Sequence, residues 1–324
     1  MKIIYLFFLF AGMQNLSADS SRYCEYSWWK TAIPSDFDRP LQDPNMICNH
    51  KAKIRIIHVA LATRGLNPVS FFNFLTTNSS KLNLEIKNSG NNAPLHYAVS
   101  FQHDPTFAAF LISAGVDIET TDGFYQTPLH RAAAANTNPK MVQLLLEQKA
   151  DIHAKNIYGE TPFHNAVKYN PNPEVIKLLM NHGADTDEPT FPKSALPMND
   201  PASTFIEACV HRSITAPIPG SYPIHLAARW NPNPDIIALL IENGADVNQG
   251  TLCKNYTPLH HAILNPNPIK VLELLFDNQA QPNIYSSSGL NPLQTANLYK
   301  KSEVAEFLLE NGAEDLPLPI MRLR

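Results

Sequence analysis

The sequence predicts an all-α protein, a solenoid of about seven helix-turn-helix units joined by β-turn or hairpin loops. Three observations carry that expectation. A Pro-Leu-His element recurs with its proline at 94, 128, 162, 223, 258 and 292, so that successive gaps are 34, 34, 61, 35 and 34 residues. Behind each element, apolar residues fall at i, i+3 and i+4, the stripe of a helix with one buried face. Between the two helical stretches of a unit stands Asn-Pro-Asn-Pro, at 170–173, 231–234 and 265–268.

Each unit reads in the same order. A Thr-Pro pair suits a helix start, because the hydroxyl caps free amides and proline fits the first turn. A short small-residue helix follows, as in "LHRAAAA". The Asn-Pro turn then stops it, since the residue before a proline is driven out of the helical region. Its second asparagine can cap the next helix, and its second proline can begin it. In "LHHAILNPNPIKVLELL" the turn comes one residue earlier, which suggests a tolerant, exposed turn. The second helix, as in "MVQLLLEQ" or "VIKLLMNH", ends in "GVD" at 115, "KAD" at 149 or "GAD" at 183 and 244, where glycine offers the left-handed conformation that closes a helix. About ten polar, turn-rich residues lead to the next Thr-Pro and read as a β-turn or short hairpin.

The combination of TPLHxA, a leucine run and GAD resembles the ankyrin repeat, here of a bacterial type carrying Asn-Pro-Asn-Pro turns. The resemblance covers 53–316, with a looser first unit around His58 as an N-terminal capping repeat. A family unit has ~33 residues, and the Asn-Pro turn supplies the additional one. Two segments depart from the pattern. Residues 186–222 fill a gap where other units have about ten residues, are rich in proline, and carry one plausible short helix at 201–212. They form either an elongated loop on the hairpin side or a decayed helix. Residues 19–52 lack the repeat grammar, and Tyr23, Tyr26, Trp28 and Trp29 there are expected to cover the end of the stack, which a solenoid must cap. Residues 317–324 are a tail.

The start reads as a signal peptide, 1–18: Lys2, an apolar run from Ile3 to Met13, and a small residue at Ala18. The run is little more than half of the about 20 residues a membrane span needs. Export, secreted or periplasmic, is therefore the expectation, with no stable membrane insertion after cleavage. Export exposes Cys24, Cys48, Cys209 and Cys253 to oxidation. Four cysteines allow three pairings. Cys24 with Cys48 and Cys209 with Cys253 are favoured, since each pair brackets a segment without packing partners; free buried thiols remain the alternative. Closing the first loop would contribute about 3 kcal/mol in the chain-entropy picture. Sequons at Asn78 and Asn255 matter only if the source glycosylates.

Composition excludes other classes. Among 324 residues, 44% hydrophobic content supports a large core, and 25 basic against 29 acidic residues are mixed along the chain without a basic block. Nucleic acid is thus not an expected partner. His96, His130, His164, His225 and His260 hold one place in successive units, and the resemblance makes them structural hydrogen-bonding residues. Asp117, Asp151, Asp185 and Asp246 recur at the turn after the second helix, where backbone hydrogen bonds explain them. No zinc spacing, nucleophile elbow or phosphate loop is present. The chain is therefore expected to be non-catalytic, without metal or cofactor, and a monomer that binds another protein.

The resemblance implies contact through the concave side, made by hairpin tips and the ends of first helices. On this chain those positions are Phe101, Lys168, Tyr169, Arg229 and Trp230 on helices, and Phe124, Gln126, Ile157, Tyr158, Glu160, Lys254 and Tyr256 at tips. Aromatic residues and arginine are the types that anchor interfaces. Stacking on neighbouring prolines is the competing role for Tyr169 and Trp230. An alternative function is inhibition or regulation of a secreted enzyme, with 186–222 as an occluding loop.

Overall fold

The computed structural model describes residues 24–32, 41, 43, 45–49, 53–78, 80–191 and 219–315. Those residues contain fifteen helices and one two-stranded sheet. The fold class is the expected one: all-α, ankyrin-type helix pairs. The chain divides into two compact units, Met1–Asp151 and Ile152–Arg324.

In the first unit, α1 (Tyr26–Thr31) and the antiparallel strands β1 (Ile47–Asn49) and β2 (Ile54–Arg55) precede three helix pairs. The pairs are α2 (Ile56–Ala62) with α3 (Pro68–Asn78), α4 (Pro94–Phe101) with α5 (Thr106–Ser113), and α6 (Pro128–Ala135) with α7 (Pro139–Glu147). Inner helices α2, α4 and α6 pack side by side, and each of α4 and α6 packs on its own outer helix. Trp29 is fully buried and meets Phe74 edge-on with ring centroids 5.3 Å apart. The Ser70 hydroxyl bonds to the Ala32 carbonyl. The segment before the repeats therefore covers the first pair, as expected of Trp29; Tyr23 lies outside the described residues. Cys24 and Cys48 approach to a Cα separation of 5.3 Å, within the range a disulfide spans. Asn78 is buried, with its amide bonded to the Phe74 carbonyl, so that sequon is closed to a glycan.

The second unit has four pairs: α8 (Pro162–Tyr169) with α9 (Pro173–Asn181), α10 (Pro223–Trp230) with α11 (Asp235–Glu242), α12 (Pro258–Ala262) with α13 (Pro268–Asp277), and α14 (Pro292–Leu298) with α15 (Ser302–Glu310). Inner helices α8, α10, α12 and α14 form one row, and outer helices α9, α11, α13 and α15 another. Between the rows lie Phe163, Val167, Ile176, Leu179, Ile237 and Leu272, each at 0% exposure. Of the outer-helix leucines, the first-unit pair Leu145 and Leu146 is unequal: Leu145 is buried and Leu146 only half-buried.

The Asn-Pro-Asn-Pro turn is not the tolerant exposed loop the sequence suggested. Asn170 and Asn231 have 0% exposure, and Asn136 and Asn265 have 4%. The reason is a carbonyl left without a donor. At the end of α8 the Val167 carbonyl would accept from residue 171, which is a proline. The Asn231 side chain of the next pair donates to it at 2.8 Å, and to the Asn170 carbonyl at 2.9 Å. Asn265 repeats the arrangement on Ala228, four residues before Pro232, and on Asn231, at 2.8 and 3.0 Å. Asn136 does the same to Val99 and Gln102, and Gln102 to Leu61 and Thr63. At Val167 and Ala228 a proline orphans the carbonyl and the asparagine of the next pair satisfies it, whereas at Val99 and Leu61, where the residues four on are His103 and Gly65, the same side-chain amide caps the helix end without a proline. The turn that arrives one residue early keeps this ladder: α12 is short, and α13, with 10 residues, restores the period.

The repeat histidines are bound as the resemblance implied. His58, His96, His164, His225 and His260 each accept at Nδ1 the N–H three residues back, at 3.0–3.1 Å. Their Nε2 atoms bond the carbonyls of Ile86, Gln126, Glu188, Gln249 and Leu290 in the following hairpins. Burial pushes His58, His96, His225 and His260 down to about 4, so the rings are neutral. Asp117, Asp185 and Asp246 accept the N–H two residues on, at 2.8–2.9 Å.

The long insertion is described only at its stems. Thr190 and Ser221 are joined by the Thr190 N–H on the Ser221 carbonyl at 2.9 Å, and Gly220 donates back to Thr190. Gly159, at φ +72°, lies so close to the Phe191 backbone that a Cβ would stand 1.7 Å from its oxygen. The stems thus close on the hairpin side. The expected helix at 201–212 and Cys209, with the pairing expected for Cys253, lie outside the described residues, as do the signal segment 1–18 and the tail.

Candidate protein-binding face

The hairpin tips are shaped by one acceptor each. Asn156 Oδ1 takes the N–H groups of Tyr158 and Glu160 at 2.8 and 3.0 Å, and Asp122 Oδ1 those of Phe124 and Gln126 at 2.8 and 2.9 Å. These Asx turns fix which tip residues point outward. In the first unit Phe124 is 46% exposed, Phe101 is 39% exposed and leans on Tyr97, and Gln126 is half-buried with its carbonyl held by His96.

In the second unit the expected residues separate into two kinds. Ile157, Tyr158, Trp230, Lys254 and Tyr256 are half-buried and Tyr169 is 48% exposed, as a contact surface requires. Glu160, Lys168 and Arg229 are not at the surface: their exposures are 2%, 3% and 6%. Their long side chains fold inward because a partner or an aromatic face lies next to them. Lys168 Nζ meets Glu160 Oε1 at 2.6 Å, and Asn156 adds a bond to the same carboxylate at 3.1 Å. Burial opposes both charges, but the pair more than offsets it, holding Lys168 above and Glu160 below their ordinary values. Lys168 also lies 4.9 Å from the Tyr169 ring centre and 6.0 Å from that of Trp230, and the Arg229 guanidinium lies 4.8 Å from Trp230. Tyr169 and Trp230 are thus ordered by cations, which is a role the sequence did not suggest.

Three further residues join this face that sequence reasoning missed: Asn165, His261 and Tyr299. Asn165 and His261 follow the repeat histidine directly, a place that holds Tyr97, Arg131, Leu226 and Thr295 in other pairs. That variability was the available signal. The Asn165 Oδ1 and both His261 ring nitrogens are buried without a hydrogen-bond partner among the described residues. His261 packs on His225 with ring centroids 5.1 Å apart and on Tyr256 at 6.2 Å. No group of three or more His, Cys, Asp or Glu side chains that could hold a metal occurs among the described residues. No described helix is long and apolar enough to cross a membrane.

The ankyrin repeats family profile matches in three copies, at residues 95–190, 205–286 and 224–316. The chain belongs to the ankyrin repeat family. An ankyrin repeat protein of fowlpox virus (strain NVSL), FPV031, is 40% identical over 93 residues, which is 28% of this chain and 27% of that protein. The Neurospora crassa ankyrin repeat protein nuc-2 is 34% identical over 108 residues, 32% of this chain and 10% of that protein. The chain therefore spans about a quarter or less of these curated relatives. The crystal structure of the human ASB11 ankyrin repeat domain aligns with a TM-score of 0.55 at 22% identity, covering 81% of this chain and 98% of that domain, a likeness of fold. Ankyrin repeat proteins generally mediate protein–protein interaction, and their family members are typically non-enzymatic.

Proposed function

We propose that this ankyrin repeat protein is a non-catalytic, monomeric scaffold, secreted or periplasmic, that holds another protein against the inner-helix face and hairpin tips of its second unit. The observation that carries the reading is the ordered aromatic pair Tyr169 and Trp230, which Lys168 and Arg229 hold in place at the end of α8 and α10. Pre-ordered aromatic surface lowers the entropy cost of association, and such residues dominate interface energetics. Export rests on the N-terminal pattern, and in an oxidising compartment Cys24 and Cys48 would be joined. Affinity capture from the native compartment should enrich a partner on the wild type, and the Tyr169→Ala/Trp230→Ala variant should lose most of that enrichment. Equal capture by folded variant and wild type would remove this face from the reading. Recovery of the mature chain beginning at Asp19 would support export; a chain retaining Met1 in the cytosol would end it.

The occluding role of 186–222 draws on one observation, the closure of its stems by Thr190 and Ser221 on the hairpin side. Deletion of 192–218 should then abolish inhibition of a target enzyme while partner capture persists; inhibition that survives the deletion sinks this second reading.

A further inference from the structure

Arg229 lies against the Trp230 ring, but among the described residues nothing neutralises its charge. It is 6% exposed, yet among the described residues no carboxylate pairs with it, and its Nε and Nη1 have no hydrogen-bond partner. Lys168, one pair earlier and equally buried, has Glu160 at 2.6 Å. A guanidinium withdrawn from water without a counter-charge costs several kcal/mol, so a chain that keeps one gains elsewhere. Around it stand groups that donate or are aromatic: Trp230 beneath the guanidinium, His261 on α12, whose nitrogens are likewise unpartnered, Tyr299 just past α14, and Tyr256, which touches the His261 ring. Arg229 is near enough to His261 and Tyr299 for its charge to act on both. Burial, and then the neighbouring His225 and Arg229, hold His261 well below its usual value, so its ring offers a neutral N–H.

We propose that Arg229, with His261 beside it and Trp230, Tyr256 and Tyr299 at its rim, receives the carboxylate of an acidic side chain from the bound protein. The proposal rests on the inner-face reading above and specifies what that face recognises. A planar fork of N–H donors matches a carboxylate in a way an ammonium does not. An internal Asp or Glu fits better than a chain end, because aromatic residues continue the face on both sides: Tyr169 on α8, and Tyr256 and Tyr299 toward α12 and α14. A partner segment can therefore cross the site rather than stop at it.

The test uses the full mature chain and random-sequence display peptides. Enriched peptides are expected to share one acidic residue, and changing it to Asn or Gln should weaken binding about thirtyfold or more, as loss of a desolvated charge pair does. Arg229→Met should erase that difference, and Arg229→Lys should keep only a small part of it. Arg229→Met should also raise the urea midpoint of the free protein, since it removes a charge that has no partner before binding. Three results would overturn the proposal: no acidic residue among enriched peptides, dependence on the peptide's C-terminal carboxylate instead, or a lower midpoint for folded Arg229→Met. Acid-independent peptides still lost on Tyr169→Ala/Trp230→Ala would leave the inner-face reading standing and sink this one alone. Peptides indifferent to every inner-face variant would sink both.

Discussion

Asn231→Ala tests what holds one helix pair to the next. The side chain makes three hydrogen bonds: Nδ2 to the Val167 carbonyl at 2.8 Å and to the Asn170 carbonyl at 2.9 Å, and Oδ1 from the Asn233 N–H at 2.9 Å. Each such bond contributes about 1 kcal/mol net, and a buried carbonyl left without a donor costs about 1–3 kcal/mol. Val167 has no substitute, because residue 171 is a proline. The substitution should therefore cost about 3–5 kcal/mol. Asn233→Ala, at a half-buried turn position, loses the cap on the Asp235 N–H at 3.0 Å and one bond to Pro171, and should cost about 1 kcal/mol. Urea unfolding followed by circular dichroism gives both numbers, and Asn231→Asp, which keeps Oδ1 but turns an acceptor on two carbonyls, should be at least as damaging as alanine. If Asn231→Ala and Asn233→Ala cost the same, the ladder does not carry the coupling and the proline-orphan argument is wrong.

Acid should destabilise the protein well above the usual carboxylate range. His58, His96, His225 and His260 fall from 6.5 to about 4 on folding, so the unfolded chain binds more protons between those values. Their contribution is fully present above 6.5 and is lost as pH falls toward 4, about 2 kcal/mol for each by about pH 5. A urea midpoint unchanged between pH 7 and about pH 5 would contradict this. Lys149→Gly should stabilise by about 0.5 kcal/mol, because Lys149 closes α7 at φ 64°, where Gly115, Gly183 and Gly244 stand in other pairs; a lower midpoint refutes it. Leu145→Ala should cost about 2–5 kcal/mol in the same assay and Leu146→Ala much less, in line with their unequal burial.

The architecture was legible because it repeats. A proline recurs at gaps of 34, 34, 61, 35 and 34 residues, a histidine stands two residues after all but the last, where Gln294 replaces it, and an apolar stripe lies behind, so one unit explains the rest. The Asn-Pro-Asn-Pro turn was legible as a boundary but not as a ladder. Its first asparagine acts on a carbonyl 64 residues away in the case of Asn231 and Val167, across the insertion. Such a bond follows from the stacking of pairs, and nothing within one unit reveals it.

The face itself was half-legible for the opposite reason, since recognition depends on what differs between pairs. Lys168 and Arg229 occupy the same place, four residues after a repeat histidine, and read alike as exposed cations. The structure buries both and distinguishes them by a single neighbour: the tip residue before the Thr-Pro of α8 is Glu160, while the corresponding residue before α10 is Ser221. A serine cannot neutralise a guanidinium, and the residues facing Arg229 from the following pairs, His261 and Tyr299, bring no negative charge either. One pair therefore completes its own ion pair and becomes scaffold, and the next leaves its cation to be completed by something else. Introducing the missing partner is the decisive contrast: Ser221→Glu should stabilise the free protein as Glu160 stabilises its own pair, and should compete with any acidic peptide for Arg229. A Ser221→Glu protein that still binds such peptides undiminished would show that Arg229 is not where they bind.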